Sequence, residues 1–132
     1  MKITPDANLF VRLFADDDRA QRRLAERTLE DAELVAITLP ALCELAWVLT
    51  RSYRVPRADV AGAIRGLVDI ANVVVDRPAV EAGLALLDRG GDFADGVIAH
   101  QGYELGGDVF VSFDRKAVGL VEAVGEAALL LG

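Results

Sequence analysis

Residues 34–50 read LVAITLPALCELAWVLT, an apolar run whose only charged side chain is Glu44. The short β-branched stretch Leu34 to Thr38 predicts a strand. Thr38 followed by Pro40 then predicts the cap and first turn of a helix. Burying an unpaired carboxylate is costly, so we expect Glu44 to have a cationic partner. Because no lysine or arginine lies within the run, a metal ion is the expected partner.

The rest of the chain predicts strands alternating with helices, and the boundaries follow from apolar spacing, caps and glycine or proline breaks. Strands are expected at 2–5, 34–38, 73–75, 108–113 and 128–131. Helices are expected at 8–15, from 16–18 to 32, from 40 to the break at Val55-Pro56, and at 57–70, 77–87, 92–105 and 116–120. This order predicts an α/β fold with a central parallel sheet of four to five strands and helices on both faces.

Composition limits the possible classes of protein. A length of 132 residues predicts one domain over 1–132. The single cysteine, Cys43, excludes an internal disulfide framework and a multi-cysteine zinc site. We find neither a membrane-spanning run nor a signal-peptide stretch, so the expected location is the cytoplasm. A net charge of −7 argues against broad nonspecific nucleic-acid binding. The arginines at 19, 22, 23 and 27 could form a local basic patch, or they could simply form the solvated face of a helix.

Further acids stand at the edges of other apolar segments, at Asp6, at Asp92 with Asp95, and at Asp114. Asp6 and Asp114 follow predicted strands, and sites in parallel sheets lie beyond the carboxyl ends of the strands. Clustered carboxylates repel one another unless a cation compensates them, and an all-oxygen set favours Mg²⁺ or Mn²⁺ over zinc. A site of this kind is suited to phosphodiester hydrolysis.

Each acid also has a purely structural explanation. Asp6 is a candidate turn residue, Asp92 and Asp95 are candidate caps of one helix, and Asp114 is a candidate cap of another. No other catalytic set competes: the only histidine, His100, lies in a predicted helix, and no glycine-rich phosphate loop is present. A haloacid-dehalogenase-like phosphatase would need an aspartate where Asn8 stands, and a response-regulator receiver would need a lysine after a late strand.

Four segments together resemble the PIN domains, and within them the VapC-type toxins of toxin–antitoxin pairs. They are DANLFVR at 6–12, Glu44-Leu45 with Val48-Leu49, DFADGVIA at 92–99 and VSFDR at 111–115. Their order, spacing and total length match the family over essentially the whole chain. Two departures are visible: Pro5 precedes the first acid, and Gly96 stands where alanine is common, which would slightly weaken that helix.

The resemblance implies a PIN-like three-layer fold and a Mg²⁺- or Mn²⁺-dependent endoribonuclease that blocks translation by cutting RNA, often a tRNA or ribosomal RNA. The acids that correspond to the metal ligands of the family are Asp6, Glu44, Asp95 and Asp114. In the family the acid that corresponds to Asp92 often stands close enough to assist, and Asn8 and Ser112 fall where the family uses small polar residues to orient the acids or metal waters. The resemblance also implies a homodimer and a cognate VapB-like antitoxin. A catalytically inactive PIN-like binding module is the alternative; it predicts the loss of at least one acid, and all are present.

Overall fold

The computed structural model describes all 132 residues, Met1 to Gly132, and contains seven helices and five short strands. The strands are β1 (Lys2–Ile3), β2 (Leu34–Ala36), β3 (Val73–Val74), β4 (Phe110–Ser112) and β5 (Ala128–Leu130). The helices are α1 (Ala7–Phe14), α2 (Arg19–Asp31), α3 (Leu39–Arg51), α4 (Arg57–Val68), α5 (Arg77–Leu87), α6 (Phe93–Glu104) and α7 (Arg115–Ala123). The predicted α/β class and the alternation of elements are confirmed.

Hydrogen bonds join the five strands into two parallel sheets, where the sequence predicts one central sheet. The first sheet has the order β1-β2-β3, and the second pairs β4 with β5. Ile3 lies opposite Val35 in the first sheet, and Val111 lies opposite Leu129 in the second. Every strand is shorter than predicted. The first one ends at Ile3, ahead of the buried Pro5, because proline has no N–H to donate to a ladder.

Two compact units make up the chain, an N-terminal unit of Met1–Asp76 and a C-terminal unit of Arg77–Gly132. In the N-terminal unit α1 packs on α2 and α3, and the fully buried side chains include Phe10, Leu45 and Ile64. In the C-terminal unit α5 packs along α6, and Leu84 and Phe93 are buried there. No helix in either unit has the length and apolar character needed to span a membrane.

The inward face of α2 is formed by Ala25 and Leu29 but not by Leu24. Although Leu24 and Leu29 are both apolar, Leu24 is 64% exposed while Leu29 is 5% exposed. Five residues correspond to a rotation of about 140° around a helix, so these two side chains cannot share a face. Ala25, one turn before Leu29, is buried in place of Leu24.

A ring of three hydrogen bonds ties α1 to the chain that follows α3. The Arg12 guanidinium donates to Asp17 Oδ1 (2.8 Å) and to the Tyr53 hydroxyl (2.9 Å). The Tyr53 hydroxyl in turn donates to Asp17 Oδ2 (2.9 Å). The hydrogen bond from Tyr53, assisted by the charge of Arg12, lowers the pKa of the Asp17 carboxyl. The turn between α1 and α2 is therefore held in place by polar contacts as well as by packing.

Gly96 permits an unusually close approach between α6 and α5. A Cβ at this position would overlap the Ala82 carbonyl oxygen and lie 2.8 Å from the Cα of Gly83. Gly83 itself faces the Phe93 ring, and a Cβ there would lie 2.6 Å from Phe93 Cε1. Gly96 therefore has a packing role in addition to its low helix propensity, because the packing of the two helices leaves no room for alanine.

Candidate metal centre

Asp6 lies just beyond the carboxyl end of β1 and is the N-cap of α1. Its Oδ1 accepts a hydrogen bond from the backbone N–H of Leu9 (3.1 Å). Pro5 and Ala7 on either side are buried, whereas the Asp6 side chain is exposed. The backbone is thus fixed, and Oδ2 of the carboxylate remains without a hydrogen-bond partner in the chain. Asn8 is exposed in the first turn of the same helix.

Glu44 lies in the second turn of α3, the helix that follows β2. The expectation that its apolar surroundings bury the carboxylate is wrong, because Glu44 is exposed while Leu42 and Leu45 on either side of it are fully buried. A helix turns by about 100° per residue, which directs Glu44 away from the buried stripe. No lysine or arginine pairs with it. Exposure to water removes the need for a partner that burial would have created.

The N-terminal unit brings Asp6 and Glu44 to the same edge of its sheet. β1 and β2 are parallel neighbours, so their carboxyl ends point the same way. Asp6 follows one of these strands, and α3 with Glu44 follows the other. Helices α1 and α3, which carry the two acids, also pack against each other.

The C-terminal unit contains the three other acids, at the beginnings of α6 and α7. Asp92 occupies the N-cap position of α6 but makes no capping hydrogen bond through its side chain, and Asp95 is half-buried in the first turn. Asp114 is the N-cap of α7, where its Oδ1 accepts from the backbone N–H groups of Lys116 (2.9 Å) and Ala117 (3.2 Å). The structural explanation of Asp114 as a cap is thus correct, and its Oδ2 has no partner in the chain.

Ser112, the last residue of β4, fixes the chain at Asp114. Its Oγ accepts a hydrogen bond from the Asp114 backbone N–H (2.9 Å). This contact sets the turn between β4 and α7 and therefore the place at which the Asp114 carboxylate emerges.

The acids of the C-terminal unit influence one another electrostatically. Partial burial raises the pKa of the Asp95 carboxyl, and the nearby charges of Asp92 and Asp114 raise it further. Ionised Asp95 is therefore held at an energetic cost that a bound cation would relieve. The donor atoms are all carboxylate oxygens, the ligands that hard divalent ions such as Mg²⁺ prefer. The chemistry of these residues fits a divalent metal, but the structure holds no group of three or more His, Cys, Asp or Glu side chains arranged to bind one ion.

The two other reactive side chains give no alternative centre. Nε2 of His100 lies 3.2 Å from a carboxylate oxygen of Glu104, one turn further along α6. Cys43 is half-buried, and burial raises the pKa of its thiol, which leaves less of the nucleophilic thiolate at neutral pH. Neither residue therefore forms part of a second catalytic set in this structure.

Two residues on the solvent face of α3 were not among the candidates predicted from the sequence. Trp47 is 61% exposed and Arg51 is exposed, three and seven residues after Glu44. Their spacing from Glu44 was the available signal, since residues three, four and seven apart share one side of a helix.

Comparison with models of known protein families gives a match. A model of the PIN domain matches residues 3–121, a stretch that contains all five acids and extends over most of both units. No curated protein matches the chain.

Proposed function

The chain belongs to the PIN domain family, and we propose that it is a metal-dependent endoribonuclease, the toxin of a VapBC-type toxin–antitoxin pair. PIN domains are nuclease domains that typically use divalent metal ions, and the family therefore supplies the general nuclease role. The proposal adds the substrate, the metal and the biological setting. It also takes residues 1–132 as one PIN domain, which is supported by a single family match across both units.

The proposed metal ligands are Asp6, Glu44, Asp95 and Asp114, with Asp92 assisting and with Asn8 and Ser112 in supporting roles. The observation that supports the acids of the C-terminal unit is the raised pKa of the Asp95 carboxyl beside Asp92 and Asp114. Asp6 and Glu44 are supported by their places after two neighbouring parallel strands. Like charges placed together at the starts of two helices lower stability unless a cation joins them. Mg²⁺ is the expected ion, and Mn²⁺ can take its place.

Capping and metal binding are compatible at Asp6 and Asp114. Each carboxylate uses Oδ1 to cap its helix and keeps Oδ2 available. The cap holds the carboxylate in one orientation, so little conformational entropy remains to be lost when a ligand binds. A metal held by these acids would supply charge compensation and Lewis acidity toward a phosphodiester.

The biological partners follow from the resemblance to VapC-type toxins. We expect the substrate to be a tRNA or ribosomal RNA, whose hydrolysis inhibits translation in the cytoplasm. We also expect a homodimer and a VapB-like antitoxin that blocks the acidic site. A net charge of −7 supports an antitoxin segment with basic side chains, because opposite charges favour association.

The test compares RNA cleavage by the native chain and by Asp6→Asn, in Mg²⁺ and in Mn²⁺. Asparagine is as good an N-cap as aspartate, so this change removes the charge and keeps the cap of α1. Asp16→Asn, at an exposed acid in the turn before α2, is the matched control. Cleavage is expected from the native chain and the control and not from Asp6→Asn, and sequencing of cellular RNA ends after induction identifies the target.

Metal binding is measured separately, by the thermal midpoint with and without millimolar Mn²⁺. The native chain is expected to gain stability from the metal, and Glu44→Gln is expected to gain less. Without metal the two chains are expected to unfold at the same midpoint, because Glu44 is exposed. Full RNA cleavage by Asp6→Asn would refute the assignment of the metal ligands. RNA binding without cleavage by the native chain would indicate the inactive PIN-like binding module instead.

A further inference from the structure

The solvent face of α3 carries an acid, an aromatic ring and a cation in one line. Glu44, Trp47 and Arg51 are all exposed, while the opposite face of the helix is buried in the core of the N-terminal unit. At about 1.5 Å of rise per residue, the three side chains extend over roughly 10 Å along the helix. Residues three and four apart on a helix are neighbours, so each member of the line adjoins the next.

Neither Trp47 nor Arg51 has a partner within the chain that explains its position. Trp47, the only tryptophan of the protein, is 61% exposed and its indole N–H makes no hydrogen bond. The Arg51 side chain forms no ion pair, although its place in the last turn complements the helix dipole. A large exposed aromatic ring beside a guanidinium is the combination that binds unpaired nucleotides, through base stacking and phosphate contact.

We propose that Trp47 is a stacking platform for an unpaired base of the RNA and that Arg51 binds the adjoining phosphate. The inference rests on the proposed function, because Glu44 is one helical turn from Trp47 and is a proposed ligand of the catalytic metal. An RNA strand whose phosphate lies at Glu44 passes over this face of α3. The platform selects single-stranded over double-stranded RNA, since a base in a duplex is already stacked.

Fluorescence of Trp47 reports this contact directly, because no other tryptophan contributes to the signal. The full chain is titrated with a single-stranded RNA of mixed sequence in the presence of a chelator, which prevents cleavage. We expect quenching by this RNA and much weaker quenching by the same sequence as a duplex. Unchanged fluorescence at saturating RNA would overturn the proposal.

Substitutions separate stacking from general effects on the surface. Trp47→Ala is expected to raise the Kd for single-stranded RNA by about tenfold or more, and Trp47→Phe by no more than about threefold, because phenylalanine also stacks. Arg51→Gln is expected to weaken binding and to lower the slope of log Kd against log salt by about 0.7. Leu24→Ala, at a comparably exposed apolar side chain on α2, is the control and is expected to leave the Kd unchanged.

The competing occupant of this face is a second copy of the chain. If sedimentation shows that Trp47→Ala converts a dimer to a monomer, Trp47 is an interface residue and the proposal is wrong. If Trp47→Ala binds and cleaves RNA normally, the platform is refuted while the nuclease proposal stands. If the native chain quenches with RNA but cleaves none in Mg²⁺ or Mn²⁺, the nuclease proposal fails while the binding surface stands.

Discussion

Gly96→Ala is expected to destabilise the protein, although alanine is normally the better residue inside a helix by about 0.5–1 kcal/mol. The cause is the close approach of α6 to α5. An added Cβ would overlap the Ala82 carbonyl oxygen and lie 2.8 Å from the Cα of Gly83. These are backbone atoms, which cannot rotate away as the end of a side chain can, so the two helices must separate.

The size of the effect follows from two opposing contributions. Forcing an extra carbon into a packed interior costs about 1–3 kcal/mol, and the gain in helix propensity offsets less than about 1 kcal/mol of that cost. A net loss of about 1–2 kcal/mol is therefore expected. Gly102→Ala, in the same helix with no other atoms within 4 Å of an added Cβ, is expected to be neutral or to gain up to about 1 kcal/mol.

Urea unfolding of the two variants and the native chain measures this difference, with the midpoint as readout and the slope as a check that the native state is unchanged. The variants are expected to differ by about 1–3 kcal/mol, with Gly96→Ala the less stable of the two. Equal midpoints for Gly96→Ala and Gly102→Ala would refute the reasoning. Asp95 directly precedes Gly96, so separation of the helices is also expected to lower cleavage by the Gly96 variant.

Two further predictions concern charged groups. Asp95→Asn is expected to raise the thermal midpoint at pH 7 in a chelator, because it removes a carboxylate that burial and the neighbouring acids make costly to ionise. The same variant is expected to lose the gain in midpoint that Mn²⁺ gives the native chain. A midpoint in chelator below that of the native chain would contradict this prediction. Tyr53→Phe, which removes the hydroxyl from the ring with Arg12 and Asp17, is expected to lower the midpoint by a few degrees at pH 7. Because the Tyr53 hydroxyl lowers the pKa of Asp17, the difference in midpoint between the two chains is expected to shrink below about pH 4. In that range Asp17 becomes protonated first in the unfolded chain and then, at lower pH, in the native one. A difference that does not change with pH would contradict the prediction.

Helix positions were predictable because their signals are local. Thr38 caps α3 through a hydrogen bond from the Ala41 N–H, as its place before Pro40 predicts. The bounds Arg77–Leu87 of α5 agree with the prediction at both ends. The strands were predicted in the right places but too long, because the length of a strand depends on the partner with which it pairs, and that partner is distant in the sequence.

The exposure of Glu44 and the packing role of Gly96, which the sequence did not reveal, also have physical causes. An apolar run of amino acids suggests burial on all sides, but once the run is helical its residues point in different directions, and Glu44 lies on the exposed side. Helix propensity describes Gly96 in isolation, whereas the atoms that require glycine there belong to α5. At Gly96 the deciding contact therefore lies outside the segment from which the prediction was made.

The structural and the functional explanations of Asp6 and Asp114 are not alternatives. Both are N-caps that use one oxygen, as a purely structural aspartate would, and both retain a second oxygen without a partner. If capping were the only requirement, serine, threonine or asparagine would serve equally well at either position. What aspartate adds to the cap is a negative charge, and a charge is needed where a cation is to be bound. Asp6→Asn therefore removes only the property that distinguishes a ligand from a cap, so loss of cleavage at unchanged stability would assign Asp6 to the metal.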